Sequence, residues 1–337
     1  MNILVTGGAG FIGSHTIVEL NKAGYNCIII DDFSNSEKSV LDGIEKLIGK
    51  KPKIYDQNCN NPEALDRVFT DQKIDGIIHF AASKAVGESV ENPLKYYQNN
   101  VGSTVTLLQA MQKNGVSNLV FSSSCTVYGQ PEKLPVTEAT PIQPATSPYG
   151  NTKQICEEII RDSVYAKLNL KAISLRYFNP IGAHESALIG ELPKGVPSNL
   201  VPFITQVGAG IRQQLQVFGS DYPTIDGTCV RDYIHVVDLA KAHVAAINFL
   251  VKNTENNLLK TYNIGTGNGY TVLEVIKTFE AVTGKPFNYS IKPRRDGDVT
   301  AVYADVSLAK KELNWQTEKT LKDALTDAWR WQISLKQ

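Results

Sequence analysis

The sequence predicts an α/β protein built on a Rossmann-type, doubly wound parallel sheet, and three observations support this fold class. The chain opens with a short apolar strand, a glycine-rich loop and a helix. Strands then alternate with helices, which is the pattern of a parallel sheet with crossover helices. Beyond Pro180 this regular alternation stops. We therefore predict a Rossmann domain over residues 1–180 and a smaller α/β lobe over residues 181–337.

The composition argues against several classes of protein. The 337 residues include 34 Lys+Arg and 34 Asp+Glu, so there is no basic excess for nucleic acid or a membrane surface. No signal peptide is visible, and no apolar run approaches the roughly 20 residues that span a bilayer. The five cysteines and five histidines show no metal-ligand or redox spacing. We predict a cytoplasmic protein without a metal site.

The first strand, over residues 2–6, leads into a loop that is suited to a nucleotide. Three glycines follow at intervals of three residues: Gly7, Gly10 and Gly13. Glycine permits a tight turn, and the helix N-terminus adds a partial positive charge, so a pyrophosphate can approach closely. The second strand ends at Asp31, 21 residues after Gly10, the spacing expected for a carboxylate that binds a ribose diol. Since no arginine is adjacent to receive a 2′-phosphate, the loop predicts NAD rather than NADP.

The remaining elements of the first half continue the alternation. Strands are predicted over residues 27–30, 53–57, 76–80, 119–121 and 172–175, and helices over residues 62–71, 93–114 and 148–168. In such a sheet, ligands bind beyond the carboxyl ends of the strands. Lys84, Ser124 and Asn179 fall at those ends, as do the glycine loop and Asp31. The sequence therefore predicts one site at this edge.

The second half is less regular. It is predicted to contain helices over residues 203–210, 238–252 and 271–283, a last helix from Leu321, and strands over residues 216–218 and 230–234. Residues 182–202 are rich in Gly, Pro and Ser and are predicted to form a loop. Arg231 and the pair Arg294–Arg295 are candidates to bind a diphosphate, because guanidinium groups offer planar, paired donors. The cleft between the two lobes is the expected substrate site.

A tyrosine and a lysine on one helix are candidates for acid–base chemistry. Tyr149 and Lys153 are four residues apart, so they share a helix face, and Pro148 suits the first turn of that helix. An ammonium beside a phenol lowers the pKa of the phenol from about 10. The pair alone is compatible with a solvated helix face that has no function. Together with the nucleotide loop it predicts a proton acceptor that works near neutral pH.

The glycine motif, the serine that ends a later strand and Tyr149-x-x-x-Lys153 together resemble the extended short-chain dehydrogenase/reductase family. Three further stretches resemble its nucleotide-sugar epimerases: residues 84–89, 177–184 and 231–236. The resemblance covers nearly the whole chain. It implies tightly bound NAD, a UDP-hexose that is epimerised at carbon 4 through a 4-keto intermediate, and a homodimer.

The resemblance also implies the site residues. It assigns catalysis to Ser124, Tyr149 and Lys153. It assigns the cofactor to Gly7, Gly10, Phe11, Ile12, Gly13, Asp31, Asp32, Asn35, Ser36, Asn58, Cys59, Phe80, Ala81, Ala82, Lys84, Asn99, Ser122, Ser124, Tyr149, Lys153, Tyr177 and Phe178. It assigns the UDP-sugar to Ser124, Tyr149, Asn179, Asn199, Leu200, Gln216, Val217, Phe218, Arg231, Arg295, Asp298 and Val302. Asn58 departs from the family, which often has an aspartate there that contacts adenine.

Individual roles follow from the same resemblance. Arg231 and Arg295 bind the diphosphate, and Asp298 binds the ribose of the nucleotide. Asn179 and Asn199 reach the diphosphate and sugar, and Phe218 lies near the uracil. Ser124 hydrogen-bonds the 4-oxygen of the sugar, and Lys153 also holds the nicotinamide ribose. The helices that begin at Pro93 and Pro148 pair across a dimer.

The resemblance also bears on which sugars are accepted. The stretch Arg295-Asp296-Gly297-Asp298 sets the register, and Val302 lies four residues after Asp298. In the family, a tyrosine at this position accompanies plain hexoses, and a small residue accompanies N-acetylated hexoses as well. Valine is smaller than tyrosine, so we predict that UDP-N-acetylhexosamines are also accepted. A shift of one residue would place Tyr303 at the pocket wall instead.

Two other classes of function remain open. One is a related sugar-nucleotide dehydratase, which needs an acid beside the serine, whereas Ser124 is followed by Cys125 and Thr126. The other is a non-catalytic nucleotide-binding regulator on the same fold. Loss of Tyr149 or Lys153 would indicate the regulator, and both residues are present.

Overall fold

A seven-stranded parallel sheet forms the centre of the protein in the computed structural model, which describes residues 1–295 and 298–335. Its neighbouring strands all run parallel, which confirms the predicted doubly wound α/β fold class. Asp296 and Gly297, which set the predicted register of Val302, lie outside the described residues.

The described strands, in chain order, are β1 (Asn2–Thr6), β2 (Asn26–Asp31), β3 (Lys53–Asp56), β4 (Gly76–His79), β5 (Asn118–Ser124), β6 (Lys171–Tyr177), β7 (Asn179–Ile181), β8 (Leu215–Phe218), β9 (Val230–Arg231), β10 (Tyr233–His235), β11 (Leu258–Ile264), β12 (Tyr270–Thr271), β13 (Tyr289–Lys292) and β14 (Ala301–Val302). The order in the large sheet is β11-β6-β5-β4-β1-β2-β3. The strand order reverses direction beside β1, so the crevice at the carboxyl end of β1 is the expected ligand position.

The described α-helices are α1 (Phe11–Lys22), α2 (Val40–Ile48), α3 (Pro62–Asp71), α4 (Val86–Glu91), α5 (Pro93–Tyr96), α6 (Gly102–Asn114), α7 (Pro148–Tyr165), α8 (Leu200–Gly208), α9 (Val236–Lys252), α10 (Val272–Thr283), α11 (Ser307–Leu313) and α12 (Leu321–Ser334). A π-helical turn, Tyr97–Val101, connects α5 and α6. The predicted helix over residues 93–114 therefore contains a π segment. None of the described helices has the length and apolarity that crossing a bilayer requires.

Helices cover both faces of the large sheet. Side chains alternate between the two faces of β1: Ile3 and Val5 contribute to one core, and Leu4 contributes to the other. The first core is closed by apolar residues of α1 and α9, and the second by those of α3, α6 and α7. Because both faces are covered, the central strands β1, β2 and β4 are buried almost throughout.

The chain returns to the large sheet after residue 180. α9 packs against the first core, and β11 adds a seventh strand beside β6. We did not predict β11, although its mixture of apolar, β-branched and aromatic residues is bounded by turn-forming residues at Asn257 and Gly265. The division into residues 1–180 and 181–337 stays a prediction, but both segments contribute to one sheet.

The other elements of the second segment form a smaller lobe with its own core. Ile204 of α8, Phe279 of α10 and Leu325 of α12 are fully buried there. β8 pairs with β13, and β9 lies between β12 and β14. The short pairing of β10 with β7 connects this lobe to the end of β6. The carboxyl edge of the large sheet therefore faces the smaller lobe.

Candidate active site

A cleft of about 550 Å³ lies along the carboxyl ends of the central strands. It is lined by these residues of the predicted cofactor set: Gly7, Gly10, Phe11, Ile12, Gly13, Asp31, Asp32, Asn35, Ser36, Asn58, Cys59, Phe80, Ala81, Ala82, Lys84, Asn99, Ser122, Tyr149, Lys153 and Tyr177. Asn199, from the predicted substrate set, lines it too. Phe178 is buried beside the cleft, in a cluster with Val302. The structure thus brings together residues that are up to about 190 positions apart in sequence.

The glycine loop approaches the neighbouring strand too closely for side chains. Gly7 has φ +68°, and a Cβ atom there would lie 2.9 Å from the amide nitrogen of Ala81. A Cβ atom on Gly13 would lie 2.3 Å from the carbonyl oxygen of Gly7. α1 starts without a side-chain cap and has no acidic residue in its first turn. Its first amides and its dipole are therefore available to an anion, which fits the pyrophosphate of NAD.

Asp31 is held in a fixed orientation at the end of β2. Its carboxylate accepts hydrogen bonds from the amides of Ala9 and Phe33 and from Ser36 Oγ, each at 2.9 Å. Burial raises the pKa of Asp31, and these hydrogen bonds oppose that rise. A carboxylate oriented in this way at the cleft wall is suited to accept hydrogen bonds from a ribose diol.

Asn58 has a local reason to be an amide. Its Nδ2 donates to the Asp32 carboxylate at 2.9 Å, and its Oδ1 accepts from the amide of Asn60 at 2.8 Å. An aspartate at position 58 would place a second carboxylate against Asp32, and like charges repel. With Asp32 beside it, an asparagine at position 58 forms a hydrogen bond where an aspartate would be repelled.

Tyr149 and Lys153 are both buried at the inner end of the cleft. Burial raises the pKa of the Tyr149 phenol, and hydrogen bonding to Ser124 opposes the rise. Burial lowers the pKa of Lys153 to about 8. We predicted that Lys153 lowers the pKa of the phenol, yet its Nζ donates to the carbonyl oxygen of Ser122 at 2.7 Å. The cost of burying a phenolate therefore dominates, and a further positive charge in the cleft is needed to favour it.

Glu191 is a cleft residue that the sequence did not indicate. One of its carboxylate oxygens lies 3.2 Å from Lys84 Nζ and accepts from Asn199 Nδ2 at 2.8 Å. The contact thereby connects a predicted cofactor residue with a predicted substrate residue. Glu191 belongs to the irregular segment of residues 182–202, where no periodic pattern distinguishes it.

A second group of predicted residues lies in the smaller lobe. Asp298 lies 3.9 Å from Arg231 and accepts a hydrogen bond of 3.2 Å from Arg295. The Arg295 guanidinium lies 4.6 Å from the centre of the Phe218 ring. Arg294 is directed elsewhere, since it pairs with Asp221. Of the two candidates at 294–295, only Arg295 joins this group.

The other predicted substrate residues differ in where they lie. Gln216 on β8 is exposed, whereas Val217 is buried in the core of the smaller lobe. Leu200 starts α8 and packs against the same core. Asn179 starts β7, directly after the buried Phe178. The core position of Val217 limits it to a contact through its backbone.

Val302 is the last residue of β14. It is buried in a cluster with Tyr128, Phe178 and Cys125, and Cys125 directly follows Ser124. The Tyr303 ring lies on the other side, where a Cβ atom on Gly269 would be 3.1 Å from Tyr303 Cδ1. Val302, rather than Tyr303, thus packs in the cluster that contains Cys125, the residue after Ser124.

Together, the parallel sheet, the glycine loop and the Ser124, Tyr149 and Lys153 group define a nucleotide-binding protein of the extended short-chain dehydrogenase/reductase class. The family model described as GDP-mannose 4,6 dehydratase matches residues 4–328. A UDP-glucose 4-epimerase of Bacillus subtilis (strain 168) is 51% identical over 334 residues, which are 99% of this chain and 97% of that protein. The chain belongs to the UDP-glucose 4-epimerase family.

Solved structures agree with this membership. A UDP-glucose 4-epimerase from Bifidobacterium longum, in complex with NAD⁺ and UDP, is 50% identical, with a TM-score of 0.95 and coverage of 99% of this chain and 98% of that chain. A UDP-glucose-4-epimerase from Stenotrophomonas maltophila, with bound NAD and formylated UDP-arabinopyranose, is 47% identical, with a TM-score of 0.96 and coverage of 100% and 99%. Membership of this family accounts for both the Rossmann-type fold and the nucleotide cleft.

The purified protein is expected to carry NAD. The glycine loop and the fixed Asp31 carboxylate both retain it, so acid-released nucleotide should be NAD(H). Asp31→Asn should weaken retention by roughly 10–100-fold, since hydrogen bonds to charged groups contribute about 1.5–3 kcal/mol. Asp56→Asn, at an exposed carboxylate outside the cleft, is the matched control. Release of NADP, or an active preparation without nucleotide, would contradict the assignment.

Proposed function

We propose that the protein catalyses the reversible epimerisation of UDP-galactose and UDP-glucose at carbon 4, with tightly bound NAD. The observation that carries the proposal is that Tyr149 and Lys153 line one cleft with the glycine loop, and that Ser124 is hydrogen-bonded to Tyr149. The activity named for the Bacillus subtilis relative, and the NAD⁺ and UDP named for the Bifidobacterium longum structure, support it.

The smaller lobe anchors the UDP group in this proposal. Arg231 and Arg295 bind the diphosphate through charge-assisted hydrogen bonds, and Asp298 turns to the ribose of the nucleotide. Asn179 and Asn199 complete the contacts to the diphosphate and sugar. Phe218 covers the uracil. Anchoring the UDP group leaves the hexose free to turn about the diphosphate bonds, so that both faces of the 4-keto sugar can be presented.

The chain supplies proton transfer at carbon 4. Tyr149, as the phenolate, accepts the proton of the 4-hydroxyl, and Ser124 hydrogen-bonds the same oxygen and relays the proton. NAD, when bound, supplies the reversible oxidation at carbon 4 and ends the cycle unchanged. Lys153, together with the positive charge that the cofactor ring would bring, would compensate for the cost of burying the phenolate. Lys153 also holds the ribose next to that ring.

The structure offers no support for the two alternative functions. A dehydratase requires an acid beside Ser124, and the following residues are Cys125 and Thr126. Asp232, a buried carboxylate near Cys125, accepts hydrogen bonds from the amides of Thr266, Gly267 and Ala304. A non-catalytic regulator would have no need of a buried tyrosine and lysine at the nucleotide site.

A reducing, cytoplasmic environment is part of the proposal. The five cysteines are all free thiols in the structure: Cys27, Cys59, Cys125, Cys156 and Cys229. Proteins of oxidising compartments typically pair such residues.

Tyr149→Phe is expected to remove most of the activity while UDP binding is preserved, because it deletes one oxygen and little surface. The expected loss in kcat is about 10²–10⁴-fold. Turnover of UDP-galactose and UDP binding by calorimetry measure the two effects. Tyr165→Phe, at an exposed tyrosine of the same helix, is the control. A rate within a few-fold of the parent would exclude Tyr149 as the base.

A homodimer is also expected. Val86, Val90 and Leu94 follow one another at four-residue spacing next to α7 and are 48%, 62% and 78% exposed. Light scattering at micromolar concentration should give about twice the monomer mass of 37.0 kDa. Leu94→Glu should weaken the dimer, whereas Ile225→Glu, at an 89% exposed residue of the other lobe, should not. A monomeric parent protein would refute the proposal.

Val302→Tyr tests the prediction that N-acetylated substrates are accepted. The valine leaves room beside carbon 2 of the sugar, so the parent protein should epimerise UDP-N-acetylglucosamine. The variant should lose that activity and keep UDP-galactose turnover within about tenfold, since size discrimination in pockets amounts to roughly 10–200-fold. Absence of N-acetyl activity in the parent protein at millimolar substrate would disprove the prediction.

A further inference from the structure

Glu157 lies on the catalytic face of α7 and belongs to neither the predicted cofactor set nor the predicted substrate set. Tyr149, Lys153 and Glu157 are spaced four residues apart, and residues at this spacing share one face of a helix. The Glu157 side chain is only 11% exposed. A buried carboxylate requires partners, and these partners lie on the strands that support the catalytic serine.

The Glu157 carboxylate is held from two strands. Arg176 on β6 donates to it through Nε at 2.9 Å and through Nη2 at 2.5 Å, which is a paired contact. Ser123 Oγ on β5 donates to it at 2.5 Å. Ser123 and Arg176 are direct partners in the parallel pairing of these strands. The Arg176 guanidinium is in turn held 4.9 Å from the centre of the Tyr128 ring.

These contacts adjoin the catalytic groups on both sides. Ser123 lies between Ser122, whose carbonyl oxygen accepts from Lys153 Nζ, and the catalytic Ser124. Arg176 directly precedes Tyr177, whose hydroxyl is hydrogen-bonded to Ser122 Oγ at 2.5 Å. A displacement of Glu157 would therefore shift Lys153, which lies on the same helix, α7. It would also shift Ser124, which follows Ser123 on β5.

We propose that Glu157 is a positioning residue of the epimerase reaction, which holds Lys153 in its charged form and fixes the end of β5 on which Ser124 lies. The inference rests on the proposed function for its kinetic consequence. The coupling between Glu157 and Lys153 does not depend on the proposed function, because it follows from the geometry of α7, β5 and β6.

The groups around Lys153 explain why an anion is needed. Burial lowers the pKa of Lys153 to about 8, and Cys156 and Glu157 oppose that change. Burial raises the pKa of the Cys156 thiol and lowers that of His79 on β4 to about 3. Burial also raises the pKa of Tyr149. At neutral pH the thiol, imidazole and phenol are therefore uncharged without cofactor, and the carboxylate of the Glu157–Arg176 pair remains to stabilise the ammonium.

Glu157→Gln keeps the shape of the side chain and removes its charge. The alkaline limb of the pH dependence of kcat for UDP-galactose should move to lower pH by roughly one unit. The KM for UDP-galactose should be unchanged, because Glu157 is not among the residues assigned to the UDP-sugar. Glu158→Gln, at the exposed neighbour on the same helix, should leave the limb in place.

A second measurement separates this inference from the proposed activity. In protein labelled with ¹³C and ¹⁵N at the lysine ε-positions, the Lys153 resonance is assigned by its loss in Lys153→Met and titrated without substrate. It should titrate at lower pH in Glu157→Gln than in the parent. A parent protein that does not turn over UDP-galactose would refute the proposed function, and this titration would still decide the role of Glu157.

The single substitution leaves Arg176 buried without its charged partner, which can prevent folding. Glu157→Gln/Arg176→Met removes both charges, and the methionine covers the Tyr128 ring. Because the double variant also removes a positive charge near Lys153, it is compared with Arg176→Met alone, in which Ser123 Oγ still donates to the Glu157 carboxylate. The Lys153 resonance should titrate at lower pH in the double variant than in Arg176→Met, and folded variants that titrate at the same pH would overturn the inference.

Discussion

The parallel pairing of β1 with β2 and β4 is the constraint on which the site depends. It places the ends of these three strands at one edge, so that the glycine loop, Asp31 and Ala81 meet there. The approach is so close that a side chain on Gly7 would collide with the Ala81 backbone. Backbone amides can hold a pyrophosphate only where no side chains intervene. The glycines are needed because the sheet topology brings these backbone segments so close together.

Burial then determines the chemistry of the cleft. It raises the pKa of Tyr149 and lowers that of Lys153, so both groups are driven towards their uncharged forms when the cleft holds no other charge. A base and an ammonium in such a place depend on neighbouring charges. The positive cofactor ring would provide one such charge, and the Glu157 carboxylate provides another from behind the strand that carries Ser124. Reactivity is thereby coupled to an occupied cofactor site.

Contacts between the two lobes connect the cofactor and substrate sites. Glu191 accepts from Lys84 on one side and from Asn199 on the other. Lys194, in the same segment, donates to the carbonyl oxygen of Phe33 at 2.8 Å, just after Asp31. The segment of residues 190–199 therefore forms a wall of the cleft that is tied to the nucleotide loop. Such ties are consistent with a cofactor that stays bound through many cycles.

The sequence by itself determined the features that depend on local pattern. The glycine spacing, the strand that ends at Asp31 and the pair Tyr149 and Lys153 each follow from residues close together in the chain. The predicted helix over residues 62–71 agrees with α3, because Asn61 caps its first amides and Pro62 suits its first position. The family resemblance extended this reading to the UDP-binding residues, whose roles remain predictions.

Tertiary structure alone decided which distant segments meet. β11 follows α9 in the second segment, yet it pairs with β6, because the exposed edge of the large sheet and the apolar face of α9 are both covered in that arrangement. The ties of Glu191 and the network of Glu157, Ser123 and Arg176 join residues of different elements, and no local periodicity encodes such contacts. The pKa of Tyr149 is raised by burial, whereas we predicted that Lys153 lowers it, and this burial too is a product of tertiary packing. The helical spacing of Tyr149 and Lys153 shows that the two residues are neighbours. Their burial, in contrast, depends on every element that packs around them.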